Sequence, residues 1–240
     1  MTRSGDGPDG SRALPSPLVD VAVLFAVGAA IVAGGLAVVD DPVARQLVVW
    51  AANLVMMGIA WASLRVRGQG VGWFGLRRPP SSRGGPVRLL ARSVVAFAAA
   101  LAAFVAGSIL YGAVAGLPGA GPETESYAFL SGNLPMLLVV LAGVFVASSF
   151  GEEWVYRGFL TTRLQEALGE RRGATALAVA GSSVVFGLAH YAWGPVGVVQ
   201  TTFMGAALAI AWLKFDRDLR VVVLAHAYAD ALLMIQLYLR

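Results

Sequence analysis

The chain has 240 residues, of which 58% are hydrophobic and only 13% are charged, and its mean hydropathy is +0.72. This composition excludes an ordinary soluble domain, which carries about 25% charged residues, and it excludes intrinsic disorder, which needs low hydrophobicity. The absence of cysteine excludes disulfide scaffolds, thiolate metal sites and cysteine nucleophiles. A net charge of +4 is too small an excess to indicate nucleic-acid binding, so a polytopic membrane protein remains.

Seven apolar stretches are long enough to cross a bilayer as helices, which takes about 20 residues each. In chain order they are approximately residues 18–39, 46–64, 93–117, 134–150 with a continuation, 174–192, 196–213 and 219–239. The polar tail before them, residues 1–17, lacks the short apolar core and cleavage site of a signal peptide, so the first stretch is predicted to be an anchor. The predicted fold is an all-α transmembrane bundle of about seven spans.

The basic residues predict which side of the membrane each connection faces, because cytoplasmic loops are enriched in lysine and arginine. Sixteen of the eighteen basic residues fall in the tail, in the basic loop 65–92, and in the connections between spans 4 and 5 and between spans 6 and 7. The other side has only Arg45 and Arg240, and its longest loop, 118–133, carries no cation. The N-terminus is therefore predicted to be cytoplasmic. Trp73 and Phe74 of the basic loop suit a membrane interface.

Ionisable side chains at membrane depth are candidate functional residues, since each costs several kcal/mol to insert. The candidates in or beside the spans are Asp20, Glu152, Glu153, Arg157, His190, His226 and Asp230. Asp20 lies at the edge of the first span, and we predict a structural role for it. The other six lie in about the last ninety residues and include both histidines of the chain.

The spacing of these residues predicts pairs on common helix faces. Residues four apart share a face, so Glu153 is expected to pair with Arg157 one turn later. Glu152 is rotated by about 100° and has no cation four residues on, which makes it the candidate general base or acid. His226 and Asp230 also share a face, and either Asp230 orients the imidazole or both side chains point at a common ligand or water.

His190 ends the fifth span, one turn after Phe186. Glutamate and histidine elements on three spans can converge only inside the bundle, where they suit a water held for attack on a carbonyl group. Straight helices would separate Glu152 from His190 by on the order of 15–20 Å in depth. Either the link 191–195 is re-entrant or the glutamates lie deeper in a longer helix, and a hydrophilic cavity open to the cytoplasm is predicted.

Three motifs in this order resemble a known family. Glu-Glu-x-x-x-Arg at 152–157, Phe-x-x-x-His at 186–190 and His-x-x-x-Asp at 226–230 look like the CPBP family, the CAAX prenyl endopeptidase-like and bacteriocin-processing or Abi-type intramembrane metalloproteases. The resemblance covers about residues 134–239, so the segment 134–240 is the predicted catalytic core. The stretch Gly72 to Arg77 is similar to a patch that precedes the core in many bacterial members.

The resemblance implies catalytic roles for six residues. Glu152 matches the glutamate that activates the attacking water, Glu153 and Arg157 match the supporting pair, and His190 matches the histidine that assists the water.

The remaining two motif residues, His226 and Asp230, match a pair that stabilises the oxyanion or contributes to a metal site. The CAAX-processing enzymes carry asparagine where this chain has Asp230, and an aspartate donates a hydrogen bond only when protonated. Glu152, His190 and His226 are the candidate ligands if a divalent metal such as zinc is bound, and the sequence leaves that binding undecided.

The predicted function is an intramembrane endopeptidase of the prokaryotic plasma membrane, which hydrolyses membrane-associated proteins or peptides near the cytoplasmic surface. Its expected partners are the lipid bilayer and that substrate. A proton- or solute-coupled transporter is an alternative function, because transporters also bury ionisable residues within the membrane. A non-catalytic membrane scaffold is a third hypothesis. The concentration of candidates in the last four spans favours the peptidase. Neither the substrate's identity nor the oligomeric state follows from the sequence.

Overall fold

A computed structural model describes residues 14–76, 85–117 and 124–240 of the chain. These residues form seven helices and three short 3-10 turns. The helices are α1 (Pro17–Leu36), α2 (Pro42–Val66), α3 (Gly85–Ala115), α4 (Leu134–Leu168), α5 (Ala174–Ala189), α6 (Gly194–Lys214) and α7 (Leu219–Tyr238). Six helical segments are long and apolar enough to cross a membrane, and α5 is a shorter apolar helix. The predicted all-α bundle of about seven spans is confirmed.

Several features predicted from the sequence lie outside the described residues. They are most of the polar tail, the first part of the loop 118–133, and the part of the basic loop that contains Arg77.

The two ends of the bundle are held by separate sets of contacts. At one end Arg67 Nε donates to Asp20 Oδ2 at 2.7 Å, which joins the end of α2 to the start of α1. At the other end Gly132 N donates to Tyr238 O at 2.9 Å, which joins the start of α4 to the end of α7. These contacts make α1 antiparallel to α2 and α4 antiparallel to α7, which agrees with a bundle whose helices alternate in direction. We call the first end, where the basic loop lies, the arginine end.

Asp20 is the centre of a polar cluster at the arginine end. Its carboxylate accepts from Arg67 and from Ser63 Oγ at 2.5 Å, and that hydroxyl accepts in turn from Arg163 Nη2 at 2.9 Å. The hydrogen bond that Arg67 donates to the Asp20 carboxylate raises the pKa of Arg67 above its usual value. Asp20 thus makes structural contacts, as predicted. Arg163, one of the basic residues assigned to the connection between spans 4 and 5, is fully buried in α4.

The 3-10 turn Val71–Phe74 closes the arginine end of the bundle. Phe74 is fully buried and packs edge-on against Trp154 and Phe159, with ring centroids 5.4 and 5.9 Å apart. The interpretation of Phe74 as a membrane-interface residue is therefore wrong. Trp73 is 52% exposed and donates its indole N–H to Glu166 Oε1 at 2.7 Å.

Gly158 lies where α4 passes over Phe74. A Cβ atom at this position would lie 2.9 Å from Phe74 Cβ and 3.3 Å from its carbonyl oxygen. We expect Gly158→Ala to lower the free energy of unfolding by about 1–3 kcal/mol, the usual cost of overpacking. Gly58→Ala in α2 is the matched control, because its Cβ would meet no described atom within 4 Å and alanine favours a helix. Equal melting temperatures of the two variants in detergent would contradict this packing.

Candidate active site

The long helix α4 brings Glu152 to the depth of His190. Glu152 precedes Leu168 by sixteen residues, and His190 follows Ala174, the first residue of α5, by sixteen residues. Because only the short turn 169–173 joins the two helices, both side chains lie at a similar distance from the arginine end. The large difference in depth that straight helices of equal length predict between Glu152 and His190 is therefore absent. The reason is that α4 is longer than predicted and carries Glu152 deeper in the membrane.

The part of α4 that carries the glutamates is wound as a π-helix. Its two π segments are Val144–Phe150 and Glu153–Thr161, and residues 153–163 are all buried. Hydrogen bonds from residue i to i+5 widen such a turn, and π segments occur frequently at functional sites. Glu152 stands between the two segments, with its side chain 12% exposed.

Glu153 is the buried centre of an ion-pair network. Its Oε1 atom accepts from Arg157 Nη1 at 2.7 Å and lies 2.7 Å from His226 Nδ1. Arg157 also donates to Gly205 O at 3.2 Å, and its guanidinium lies 4.3 Å from the ring centroid of Phe186. The expected Glu153–Arg157 contact is present. The Nδ1 atom of His226 is within hydrogen-bond distance of Glu153, a contact that the spacing of the motifs does not predict.

Glu152 faces both histidines. Its Oε2 atom lies 4.0 Å from Nε2 of His190 and 4.0 Å from Nε2 of His226. This oxygen is buried and accepts no hydrogen bond from any residue that the structure describes. Its Oε1 atom accepts from Asn53 Nδ2 at 3.3 Å. His190 Nδ1 lies 2.8 Å from Phe186 O. Because a carbonyl only accepts, Nδ1 is the donor of this contact, and in the neutral imidazole the lone pair is then on Nε2, the nitrogen that faces Glu152.

Asp230 lies on the far side of His226. Its Oδ1 atom is 3.6 Å from His226 Nε2, and its Oδ2 atom accepts from Ser149 Oγ at 2.7 Å. The structure thus brings all six residues of the three motifs into one connected group, on α4, α5 and α7.

Asn53 and Ser149 belong to this group but escape a search for ionisable residues. Asn53 is buried in α2, and Ser149 is buried in α4 three residues before Glu152. A buried amide in an otherwise apolar span was the available signal for Asn53, because an unpaired amide in hydrocarbon is costly. Ser149 carries no comparable signal, since serine is common in membrane helices.

The candidate metal ligands do not have the spacing of a zinc site. Ligands about 2.1 Å from a tetrahedral zinc ion lie about 3.4 Å from one another, whereas Glu152 Oε2 lies 4.0 Å from Nε2 of both His190 and His226. Within the described ranges of the chain, no three His, Asp or Glu side chains are grouped as metal ligands. A water about 2.8 Å from both partners fits a separation of 4.0 Å.

A cavity of about 560 Å³ connects this group to the surface. Its wall includes Glu152, His190, His226 and Asp230 together with apolar side chains of α1, α2, α4, α5 and α7. At its rim lies Tyr127, whose pKa is raised by burial, so its hydroxyl keeps its proton and can donate. Because α1 and α2 form part of the wall, the predicted core 134–240 does not enclose the cavity by itself.

The cavity extends away from the arginine end. Its outermost lining residues are Leu36 and Gln46, on either side of the α1–α2 turn, and Tyr191, just after His190. The sequence predicts both a cytoplasmic N-terminus and a cavity open to the cytoplasm. In this fold the N-terminal helix begins at the arginine end and the cavity opens at the other end, so the two predictions exclude each other.

The comparison with protein families bears directly on this group. Residues 133–232, which contain all three motifs, match the family model described as Type II CAAX prenyl endopeptidase Rce1-like. This segment is therefore similar to the Rce1-like family. The predicted resemblance is confirmed, and the Rce1-like segment supports an intramembrane endopeptidase in general. Neither the curated proteins nor the solved structures give a match to the chain.

Proposed function

We propose that this protein is an intramembrane endopeptidase in which Glu152 and His190 activate a water molecule. The observation that carries the proposal is the buried Oε2 atom of Glu152, which lacks a hydrogen bond from the described residues and lies 4.0 Å from two imidazole nitrogens. A bridging water at this point is held by a carboxylate and by the lone pair of His190 Nε2. Both groups can accept a proton from it.

In the proposed reaction the oxygen of this water adds to the carbonyl carbon of the substrate. The water's proton passes to Glu152, and the carbonyl oxygen becomes an oxyanion. Two nearby groups can donate hydrogen bonds to that oxyanion. They are Asn53 Nδ2 and, when it carries a proton, His226 Nε2. The C–N bond then breaks, and the leaving nitrogen takes the proton from Glu152.

Three neighbouring groups position these reacting residues without contacting the water. Glu153 holds His226 through Nδ1, and Arg157 neutralises Glu153. Ser149 holds Asp230 beside the imidazole of His226. These fixed contacts keep the Nε2 atom of His226 pointing towards Glu152, which is the pre-organisation that electrostatic catalysis needs.

The proposal is tested with the purified protein in detergent, incubated with a library of membrane-associated peptides and followed by mass spectrometry. New peptide termini that depend on the protein are expected. Failure to form any product, together with solute- or pH-driven flux in proteoliposomes, would contradict the peptidase and favour a transporter.

Chelation of divalent metals tests the mechanism separately. Because the spacing around Glu152 fits a water and not a tetrahedral zinc ion, we expect cleavage to continue at an unchanged rate in excess EDTA. A loss of cleavage that zinc restores would show that the two histidines and Glu152 close around a metal in the working enzyme. Apo-protein prepared by dialysis, with its metal content measured, is the control for incomplete removal.

The cavity also bears on the class of substrate. Most of its lining is apolar, with polar groups concentrated around Glu152. This suits a polypeptide with an apolar, membrane-associated segment next to the cleaved bond. The proposed location is the plasma membrane of a prokaryote.

A further inference from the structure

We infer that the catalytic cavity opens on the extracytoplasmic side of the membrane, and sideways between α1 and α5. Its substrates would then be membrane-anchored polypeptides cleaved at their extracytoplasmic ends. The inference relies on the proposed function for the reaction, whereas the direction of the opening depends only on the fold and the charges.

The cavity occupies the half of the bundle farthest from the arginine end. The second half of α1, from Phe25 to Leu36, lines it, as does the first half of α2, from Gln46 to Met56. On α5 the lining residues begin at Val185 and continue to the end of the helix. All of these segments lead to the turns that lie opposite the arginine end.

The charges identify the two ends. The described basic residues at the arginine end are Arg65, Arg67, Arg88, Arg92, Arg163, Arg171, Arg172, Lys214, Arg217 and Arg220. At the end where the cavity opens, the described residues include only Arg45 and Arg240 as cations. Because basic loops stay in the cytoplasm, the arginine end is cytoplasmic and the cavity opens on the opposite side.

Packing closes the route from the cavity to the arginine end. Trp154, Phe159 and Trp212 are buried there together with Phe74, and below them lies the polar cluster of Asp20. None of these five side chains lines the cavity.

The sideways opening lies between α1 and α5. Gly28 and Gly35 let α1 approach α2 closely, since a Cβ atom at either position would come within 2.5 Å of a side-chain atom of α2. On the flank turned to the cavity, Ala29 of α1 and Leu188 and Ala189 of α5 line the cavity and are also exposed. The wall is therefore open to the bilayer at these residues. They are small or apolar, so the occupant that fits is an apolar polypeptide segment that reaches Glu152 from the membrane.

The chain has no cysteine, so single cysteines report sidedness without background. Asp40→Cys lies in the α1–α2 turn and Tyr191→Cys at the cavity opening, while Glu170→Cys lies in the α4–α5 turn at the arginine end; all three positions are exposed. Each variant is expressed in a bacterial membrane, and a membrane-impermeant maleimide is applied to right-side-out and to inverted vesicles. We expect the cysteines at 40 and 191 to be labelled at least ten times faster in right-side-out vesicles, and the cysteine at 170 in inverted ones.

The opposite pattern, with positions 40 and 191 labelled only in inverted vesicles, would overturn the inference. Labelling of all three positions in one type of vesicle would overturn it as well, because the fold would then be wrong. The readout needs no cleavage, so its failure is distinguishable from failure of the proposed peptidase activity. Asp40 and Glu170 lie outside the candidate site, and their substitution leaves the core packing intact.

Discussion

Glu152→Gln is expected to reduce cleavage of a membrane-associated peptide by at least about a hundredfold, the low end of what a general base contributes. The amide cannot take a proton from the bridging water, whereas its carbonyl oxygen can still accept from Asn53. The folded structure should therefore survive, with a melting temperature close to that of the parent protein. The measurement is the initial rate of product formation at equal concentrations of folded protein.

Glu170→Gln is the matched control for that substitution. The chemical change is the same, but Glu170 is exposed in the α4–α5 turn, and the rate should not change. His190→Ala should act in the same direction as Glu152→Gln, because it removes the second acceptor. A Glu152→Gln protein that cleaves within twofold of the parent would eliminate the proposed role of this carboxylate.

Arg157→Met is expected to destabilise the protein by about 3–5 kcal/mol, which is the usual result of removing one member of a buried ion pair. Arg157 and Glu153 are both almost completely buried, and their charged atoms are 2.7 Å apart. Without the guanidinium, Glu153 keeps only His226 as a partner for its charge. The melting temperature in detergent should therefore fall by several degrees or more.

Two further variants distinguish this effect from a simple loss of volume. Arg172→Met removes an exposed arginine in the α4–α5 turn and should leave the melting temperature unchanged. The double variant Arg157→Met/Glu153→Leu removes both charges, and it should recover part of the loss, since an apolar pair can replace a buried ion pair. A double variant no more stable than Arg157→Met alone would argue against an uncompensated charge as the cause.

The local parts of the candidate site are the parts that the sequence predicts well. Glu153 and Arg157 meet because four residues separate them on one helix, and this spacing can be counted directly. The contact between Glu153 and His226 joins residues 73 positions apart, and no local pattern encodes which carboxylate an imidazole from another helix will meet. The π winding of α4 also has no simple residue signature, although it decides how the glutamates are turned.

The number of spans could also be predicted, because it depends on local sequence patterns. The position of the cavity could not. Long apolar runs between charged connections identify helices whatever their neighbours are. The position of the cavity depends on the close packing of α1 against α2 and on the gap between α1 and α5. This arrangement exists only in the assembled bundle. Residue type alone does not place Phe74. An aromatic residue in an arginine-rich loop suits the membrane interface, but Phe74 is fully buried in the core.

The equal distances of Glu152 and His190 from the turn between α4 and α5 impose a rule on related chains. Inserting one helical turn between Glu152 and the end of α4 would displace the carboxylate by about 5.4 Å, unless α5 grew by the same amount before its histidine. The turn itself carries no such restriction, since extra residues there extend into water. The interval between the glutamate and histidine motifs should therefore vary among relatives through the turn alone, or through paired changes that lengthen both helices together.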